Sequence, residues 1–564
     1  MQEITQDDLE SLYQPHKNLF VRLDLYEYTP DRNGVMNFHK VDEVQGVVIE
    51  GSLQEDADSE IRRTADLQMY VENSSFVISE VGKIWLDKYI IVYLGYPSER
   101  TKEMLWYDFG IYEMLEPRYS YDATTQTLNL SLVDMVASFD GTKNGVIAGA
   151  SVSYEADSSS IRKAIEGTIS DLGNWHNYIV DDIGEYGYEN VTTKNRIPYT
   201  IDMQLGSTVY ECITTLRDLY PGYESFFQKD GTFRVRRIPT CMNDPVVMTH
   251  EQLLPLVISE NNNGFNFGDV RNITQVFGKS FDPSNISSYS SNSDGETDEE
   301  EGVNYFTDIV YGIDGNYEGQ FEDLKITAIE DNTVFSFIPN HENPGSVTFK
   351  VNDFPAIPVV MNVPNVGDKQ IPAGFLQEGM PIVVRYEPDS TFKRRFVYLG
   401  RTQIIGLYML VSKPRDWNEL RHDILKYNTQ NIEYGVNPES PLTVDRIGAR
   451  MQVFSGEEYE TIESEVGALE RAQYETWKAT NMAYTMELET VLIPWLEVNQ
   501  KISYESPLAE MERKELGLPI EHDYDTQYII KRISRSLATG TQTMELTRFY
   551  DIYPWIISSK KVQV

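Results

Sequence analysis

Cysteine is nearly absent from this chain: Cys212 and Cys241 are the only two in 564 residues. Two thiols cannot build a disulfide framework, and neither sits in a Cys-x-x-Cys or Cys/His spacing of the kind that holds zinc. Positive charge is scarce as well, with 48 Lys and Arg against 88 Asp and Glu and a formal net charge of −40. A protein that wraps nucleic acid needs Lys/Arg patches that displace counterions from phosphates, so this balance argues against stable nucleic-acid binding. It fits a surface past which nucleic acid slides without adhering, and it fits plain solubility equally well. Long hydrophobic runs are missing too: those such as 89–95 have strand length and fall far short of a membrane span. The first residues, Met1 to Asp8, lack the basic start and apolar core of a leader, so synthesis in a cytoplasm with no membrane anchor is expected.

What is present points to β structure. Aromatics make up 12% of the chain, with 36 Tyr, a composition that favours strands. The length exceeds one core and implies about three to five domains. Dense alternation predicts about six strands over 20–28, 44–53, 64–71, 84–96, 107–114 and 127–134, hence a first barrel over 1–140. Helical spacing then appears at Ile161, Ala164, Ile165, Ile169 and Leu172 after Ser160, and at Val209, Cys212, Ile213, Leu216 and Leu219 after Ser207. A hairpin follows around Lys229-Asp230-Gly231. Residues 141–245 therefore read as a small α/β domain.

A second β region starts near Val246 and is interrupted. Residues 284–302 are Ser/Asn-rich and then acidic, a composition that cannot build a core. Residues 303–402 carry their own apolar set (Phe335, Phe337, Val347, Phe349, Val351, Val383, Tyr386) and read as an inserted small β domain. The interrupted module, 246–302 with 403–564, is expected to be a second barrel with a helical region, with helices after Asp416 and Ser464. The overall class is mainly β with α+β parts. A strand-turn-strand signature recurs near the two ends, over 49–71 and 533–550, each half closing on a Thr, apolar, acid, Leu, polar run. It predicts two related β modules whose hairpins hold equivalent places.

Catalytic and cofactor motifs are lacking. Gly278-Lys279-Ser280 would end a phosphate loop, but Ile273 stands where its first Gly belongs. His250-Glu251 opens a zinc-helix pattern that Leu254 breaks, and Gly-x-Ser-x-Gly does not occur. Asn292, Asp294, Gly295 and Glu301 match part of a calcium loop whose first position is Ser290 and whose flanks carry no helix signal; a solvated acidic loop is the better reading. The seven histidines form no local Ser/His/Asp set. With so many carboxylates, paired acids for glycoside hydrolysis carry no signal. Tyr474 and Trp477, and the aromatics of the insert, read as packing residues before sugar platforms. No catalytic, cofactor or metal residue is assigned.

Several stretches in order resemble a known family, the baseplate or tail hub proteins of tailed bacteriophages and phage-tail-like particles. Ile61-Arg62-Arg63-Thr64-Ala65-Asp66-Leu67, Ile84-Trp85-Leu86-Asp87-Lys88-Tyr89 and Phe109-Gly110-Ile111-Tyr112 are similar to their first barrel. Residues 207–211, 219–221 and 230–233 resemble their α/β domain. Lys413-Pro414-Arg415-Asp416-Trp417, residues 470–477, Ile493-Pro494-Trp495-Leu496 and Tyr528-Ile529-Ile530-Lys531 resemble the later part. The insert departs from a minimal hub and resembles small β modules of phage fibres and baseplates.

The resemblance implies two tube-type barrels per chain and a homotrimer whose six barrels continue a sixfold tube. Such a ring joins a tail tube or distal tail protein ring to a central spike or tip protein, with tape measure and baseplate wedge proteins as further partners. It implies a virion location, assembly in the host bacterial cytoplasm and no enzyme activity. The rivals are a receptor- or carbohydrate-binding tail adhesin, suggested by the insert and the tyrosines, and a peptidoglycan-degrading tail enzyme, ranked last for want of motifs. A chain that ends soon after its last hairpin leans toward a separate spike protein.

Overall fold

The computed structural model describes residues 5–548 apart from 15–18, 31–35, 45–46, 71–77, 122–125, 148–151, 156, 187–191, 198–199, 221, 240–244, 266, 284–303, 322–327, 364–366, 388–393, 439, 457–458, 461, 463, 482–483, 508–510, 512–513, 516 and 518–526. The acidic stretch 290–301, the candidate calcium positions in it, and Cys241 lie outside the described residues. The chain is mainly β and separates into two compact units. One comprises Met1–Tyr186, Thr192–Asp269 and Asn481–Tyr553, and the other contains Val270–Thr480.

The first unit is organised by a fourteen-stranded sheet. Its strands are β1 (Phe20–Pro30), β2 (Met36–Val44), β3 (Val47–Asp56), β4 (Arg63–Tyr70), β5 (Lys88–Pro97), β6 (Met104–Met114), β7 (Arg118–Tyr121), β8 (Gln126–Asp134), β9 (Val246–Met248), β10 (Val257–Phe265), β11 (Tyr484–Val491), β12 (Lys501–Ser503), β13 (Gln527–Ser536) and β14 (Thr541–Arg548). The main path runs β10-β11-β14-β13-β3-β4-β8-β6-β5-β1-β2, with β7 beside β8 and β12 bridging β9 and β13. Strict alternation explains why these segments are strands. In β4 the buried Arg63, Ala65, Leu67 and Met69 alternate with the more exposed Thr64, Asp66, Gln68 and Tyr70, the period of a sheet with one face in a core. Leu128, Leu130 and Leu132 of β8 and Ile533, Met544 and Leu546 of the last hairpin enter one and the same apolar cluster. The two ends of the chain thus share a core.

The small α/β domain packs within this unit. A three-stranded sheet of Tyr178–Val180, Phe233–Arg237 and Tyr223–Phe227 carries the helices Ile161–Gly167 and Val209–Arg217. Ser160 and Thr208 cap them, Thr208 in a capping box with Glu211, which satisfies amide groups a helix start leaves unpaired. Ile165, Ile213, Phe227 and Phe233 pack with Ile111 and Phe139 of the barrel side. Cys212 is buried in the second helix, and that burial pushes its thiol pKa up.

Two expectations are corrected. The hairpins β3–β4 and β13–β14 do not hold equivalent places; they lie side by side, joined through antiparallel β3 and β13. The module expected over 246–302 with 403–564 is also divided. Strands Ile273–Ser280, Gln403–Val411, Ile432–Val436 and Met451–Phe454 form a separate four-stranded sheet in the second unit. There Ile273, Leu407 and Met409 share a core with Phe335, Phe349 and Phe396 of a nine-stranded sheet spanning 304–401. The run 404–411 is buried on every residue, so alternation gave no clue to which sheet it joins. At Gly406 the helix Glu465–Asn481 comes so close that a Cβ would lie 2.5 Å from the Ala468 carbonyl carbon.

Candidate functional site

The described residues that the sequence offered for chemistry do not converge. Gly278 to Ser280 end a strand, not a phosphate loop. Nδ1 of His250 accepts from the Glu505 backbone N–H, His341 stacks on Tyr317, and His39, His176 and His422 lie at the surface. Among the described residues no group of three or more His, Cys, Asp or Glu is arranged to hold a metal ion. Trp477 is buried, and the insert's Phe335, Phe337 and Phe349 are fully interior, so these rings cannot stack a sugar.

The feature that stands out is one face of the curved sheet. Eight strands, β7-β8-β4-β3-β13-β14-β11-β10, run antiparallel at every step. The face turned from the core is lined by short polar and acidic side chains in cross-strand rows. One row reads Ser131, Asp66, Ser52, Ser536, Thr541. The next reads Thr64, Gln54, Ser534, Thr543, Glu489, Ser259, and a third Asp56, Arg532, Glu545, Glu487, Asn261. Their side chains bond along the wall: Ser131 Oγ donates to Asp66 at 3.0 Å and Ser259 Oγ to Glu489 at 2.9 Å. Arg532 is held by Asp56 at 2.7 Å and by Glu545 at 3.4 Å. An open depression of about 650 Å³ lies over the seam, bordered by Glu50, Ser52, Asp66, Ser131 and Ser536.

Behind this wall the seam between β3 and β13 is fastened by buried charge. Arg535 Nη1 donates to Glu55 Oε1 at 2.8 Å, with side-chain exposures of 0% and 3%. Arg535 Nη2 donates to the Leu496 carbonyl, and the Val498 N–H donates to Glu55. Beside it, Glu224 of the α/β domain accepts from Arg62, from Arg236 at 2.8 Å and from Asn499 at 2.6 Å. Arg63 donates to the carbonyls of Phe227 and Gln228. One charged cluster therefore ties together β3, the α/β domain and the C-terminal strands. Burial pushes the Glu224 carboxyl up, but Arg62 and Arg236 outweigh it and hold it below its ordinary value. Burial dominates at Asp134 and raises its pKa despite Arg63. Sequence reading singled out none of these ion pairs, because Glu55 and Arg535 occupy core positions of alternating strands where an apolar residue is the default.

The eight-strand layer also contains an internal repeat. The first four strands in space, β7-β8-β4-β3, and the second four, β13-β14-β11-β10, have the same chain order at the same places and the same strand directions. Side-chain pairing follows. Arg118, Ser120 and Tyr121 face Asn129, Thr127 and Gln126, and Arg532, Ser534 and Arg535 face Glu545, Thr543 and Gln542. Gln126-Thr127-Leu128-Asn129-Leu130-Ser131 thus answers Gln542-Thr543-Met544-Glu545-Leu546-Thr547. Asp66 faces Ser131 and Thr485 faces Thr547, so Asp66-Leu67-Gln68-Met69 answers Thr485-Met486-Glu487-Leu488. The equivalent of the last hairpin is β7–β8, not β3–β4.

A family described as a domain of unknown function (DUF5048) matches residues 439–553. No curated protein matches the chain. Among solved structures, the chain is similar to the 43 kDa tail protein of prophage MuSo2 from Shewanella oneidensis, at TM-score 0.42 and 11% identity over 94% of this chain and 98% of that one. It is also similar to the tail protein from Neisseria meningitidis MC58, at TM-score 0.41 and 8% identity over 96% and 99%. A third is the Francisella PdpA–VgrG complex in its half-lidded form, at TM-score 0.38 and 8% identity over 97% and 61%.

Removing one partner of the buried seam pair should be costly. Arg535→Met leaves Glu55 buried and unpaired and is expected to lower stability by about 3–5 kcal/mol, whereas adding Glu55→Met should recover most of the loss; chemical denaturation of the three proteins checks this. The depressed folded pKa of Glu224 means that its contribution is present above the ordinary glutamate value of about 4.3 and is lost as pH falls through the folded value. Glu224→Gln should therefore flatten the acid limb of a Tm-against-pH profile, and an unchanged limb would contradict this account.

Proposed function

We propose that the chain is a structural hub of a phage-type tail baseplate. In this reading three copies form a ring that joins a tail tube, or a distal tail protein ring, to a central spike or tip protein, and the polar face of the eight-strand layer lines the channel. The observation that carries it is the repeat: two four-strand segments side by side, with the same strand order and directions and each with a polar outer face. Three copies of two segments give six, which allows one ring to meet a sixfold tube on one side and a threefold spike on the other.

A channel wall suits the side chains present. Ser, Thr, Asn and Gln offer hydrogen bonds to water, Arg532 is held by Asp56 and Glu545, and Asp66, Glu487, Glu489 and Glu545 repel a passing polyanion. The function requires no catalytic group, and the protein is proposed to be no enzyme. Tape measure and baseplate wedge proteins would be further contacts, with assembly in the host cytoplasm. The adhesin reading gains nothing from the insert's Phe335, Phe337, Phe349 and Phe396, which are buried in a core.

Light scattering at increasing protein concentration should approach three times the chain mass. A protein that stays monomeric at high concentration, alone and with a tube or spike partner added, would contradict the hub reading.

A further inference from the structure

We propose that His341 is a protonation switch: its neutral imidazole fastens the turn 312–315 of the inserted β domain, and its charged form releases that turn. The proposal stands apart from the ring reading and concerns only the second unit. The turn joins the strands Val310–Tyr311 and Asn316–Gly319. It lies close to main chain, since a Cβ at Gly315 would sit 2.7 Å from the Ser346 carbonyl oxygen. Its tip is Ile313, 73% exposed, and Tyr311 just before it is 57% exposed. The switch therefore governs the shape of an apolar tip.

The contacts fix the protonation state of the ring. Asn340 Nδ2 donates to the Gly312 carbonyl at 3.3 Å, so Oδ1 is the amide atom that faces His341 Nδ1 at 2.7 Å. An amide oxygen only accepts, so Nδ1 carries the hydrogen. The Gly315 N–H donates to the other nitrogen, Nε2, at 3.2 Å, which requires a lone pair there and hence a neutral ring. A second proton would set N–H against N–H and leave the amide of the buried Gly315 without its acceptor. The ring itself is held from the other side: Tyr317 stacks on it with centroids 4.4 Å apart, and the Tyr317 hydroxyl donates to the His341 carbonyl at 2.9 Å. The turn is thus the part that yields.

The charged groups around this contact favour the second proton. Asp314 lies in the turn, Glu342 follows His341, and Glu318 on the adjacent strand is paired with Lys350 at 3.2 Å. The loop 371–376, tied to the Asn343 carbonyl by the Gly374 N–H, carries no charged residue. Tyr317 stays a neutral donor, because burial and then Glu342 raise its pKa. An ordinary carboxylate remains ionised at about pH 5.5, whereas imidazole gains its proton on the way there from about pH 7.5. His341 is the group that changes charge over that interval.

Hydrogen exchange of the full chain, read on peptides covering 312–317 and corrected for the intrinsic pH dependence of amide exchange, tests the switch. Protection in the wild type should fall about tenfold between about pH 7.5 and about pH 5.5, the effect of losing one buried hydrogen bond, while the strand Val347–Val351 keeps its protection. His341→Gln offers an acceptor that takes no proton, and its turn should stay protected at both pH values. His341→Phe keeps a ring to stack on Tyr317 but no acceptor, and its turn should be unprotected at both. A wild-type turn equally protected at both values would overturn the proposal. So would a pH-dependent loss that persists in His341→Gln, or a His341→Phe turn as protected as the wild type at the higher value.

Discussion

The ion pair between Glu55 and Arg535 holds the first unit together as one object. Both groups are removed from water, one on the first strand of a hairpin near the start of the chain and the other on the last hairpin. Backbone answers each side chain once, the Leu496 carbonyl on the arginine Nη2 and the Val498 N–H on the glutamate, while Arg535 Nε is buried without a hydrogen-bond partner. Taking two charges from water costs several kcal/mol per ion, so such a pair adds little net stability over apolar packing. What it contributes is register. A slip of β13 along β3 would separate the charges inside the core, and the polar wall in front would lose its rows.

The second charged group extends that logic. Glu224 joins Arg62, Arg236 and Asn499, so the α/β domain is fixed to the same seam from behind. The seam thus has a wet, acidic front and a dry back bolted to a helical domain. A wall of this design can carry short polar side chains on its front because its rigidity comes from behind. The charge of the chain, read from composition as a matter of solubility or of sliding, acquires a location in Asp66, Glu487, Glu489 and Glu545.

Much of the strand content was legible in the sequence, since alternation such as Leu128, Leu130 and Leu132 against Thr127, Asn129 and Ser131 reports one buried face directly. Helix starts at Ser160 and Asp416 were legible through their caps. Partners of strands were not. The run at 404–411 is buried on both faces and carries no period that names its sheet. The recurring Thr, apolar, acid, Leu pattern drew attention to the correct strands but equated the wrong hairpins, because β4, β11 and β14 all carry it. Only pairing register, Arg118 with Asn129 and Arg532 with Glu545, identifies β7–β8 as the counterpart of the last hairpin. Arg535 and Glu55 were illegible for a different reason: a charge at a core position is recognised as paired only when its partner, far away in the chain, is seen beside it.

The central claim is that the eight-strand layer is two rotationally related segments of a longer closed wall. Electron cryomicroscopy of the oligomer viewed down its axis tests this most directly. The account predicts a threefold particle whose channel is walled by six near-equivalent four-strand segments, with the acidic rows facing inward. A particle without threefold symmetry, or one in which the rows face outward, would contradict it.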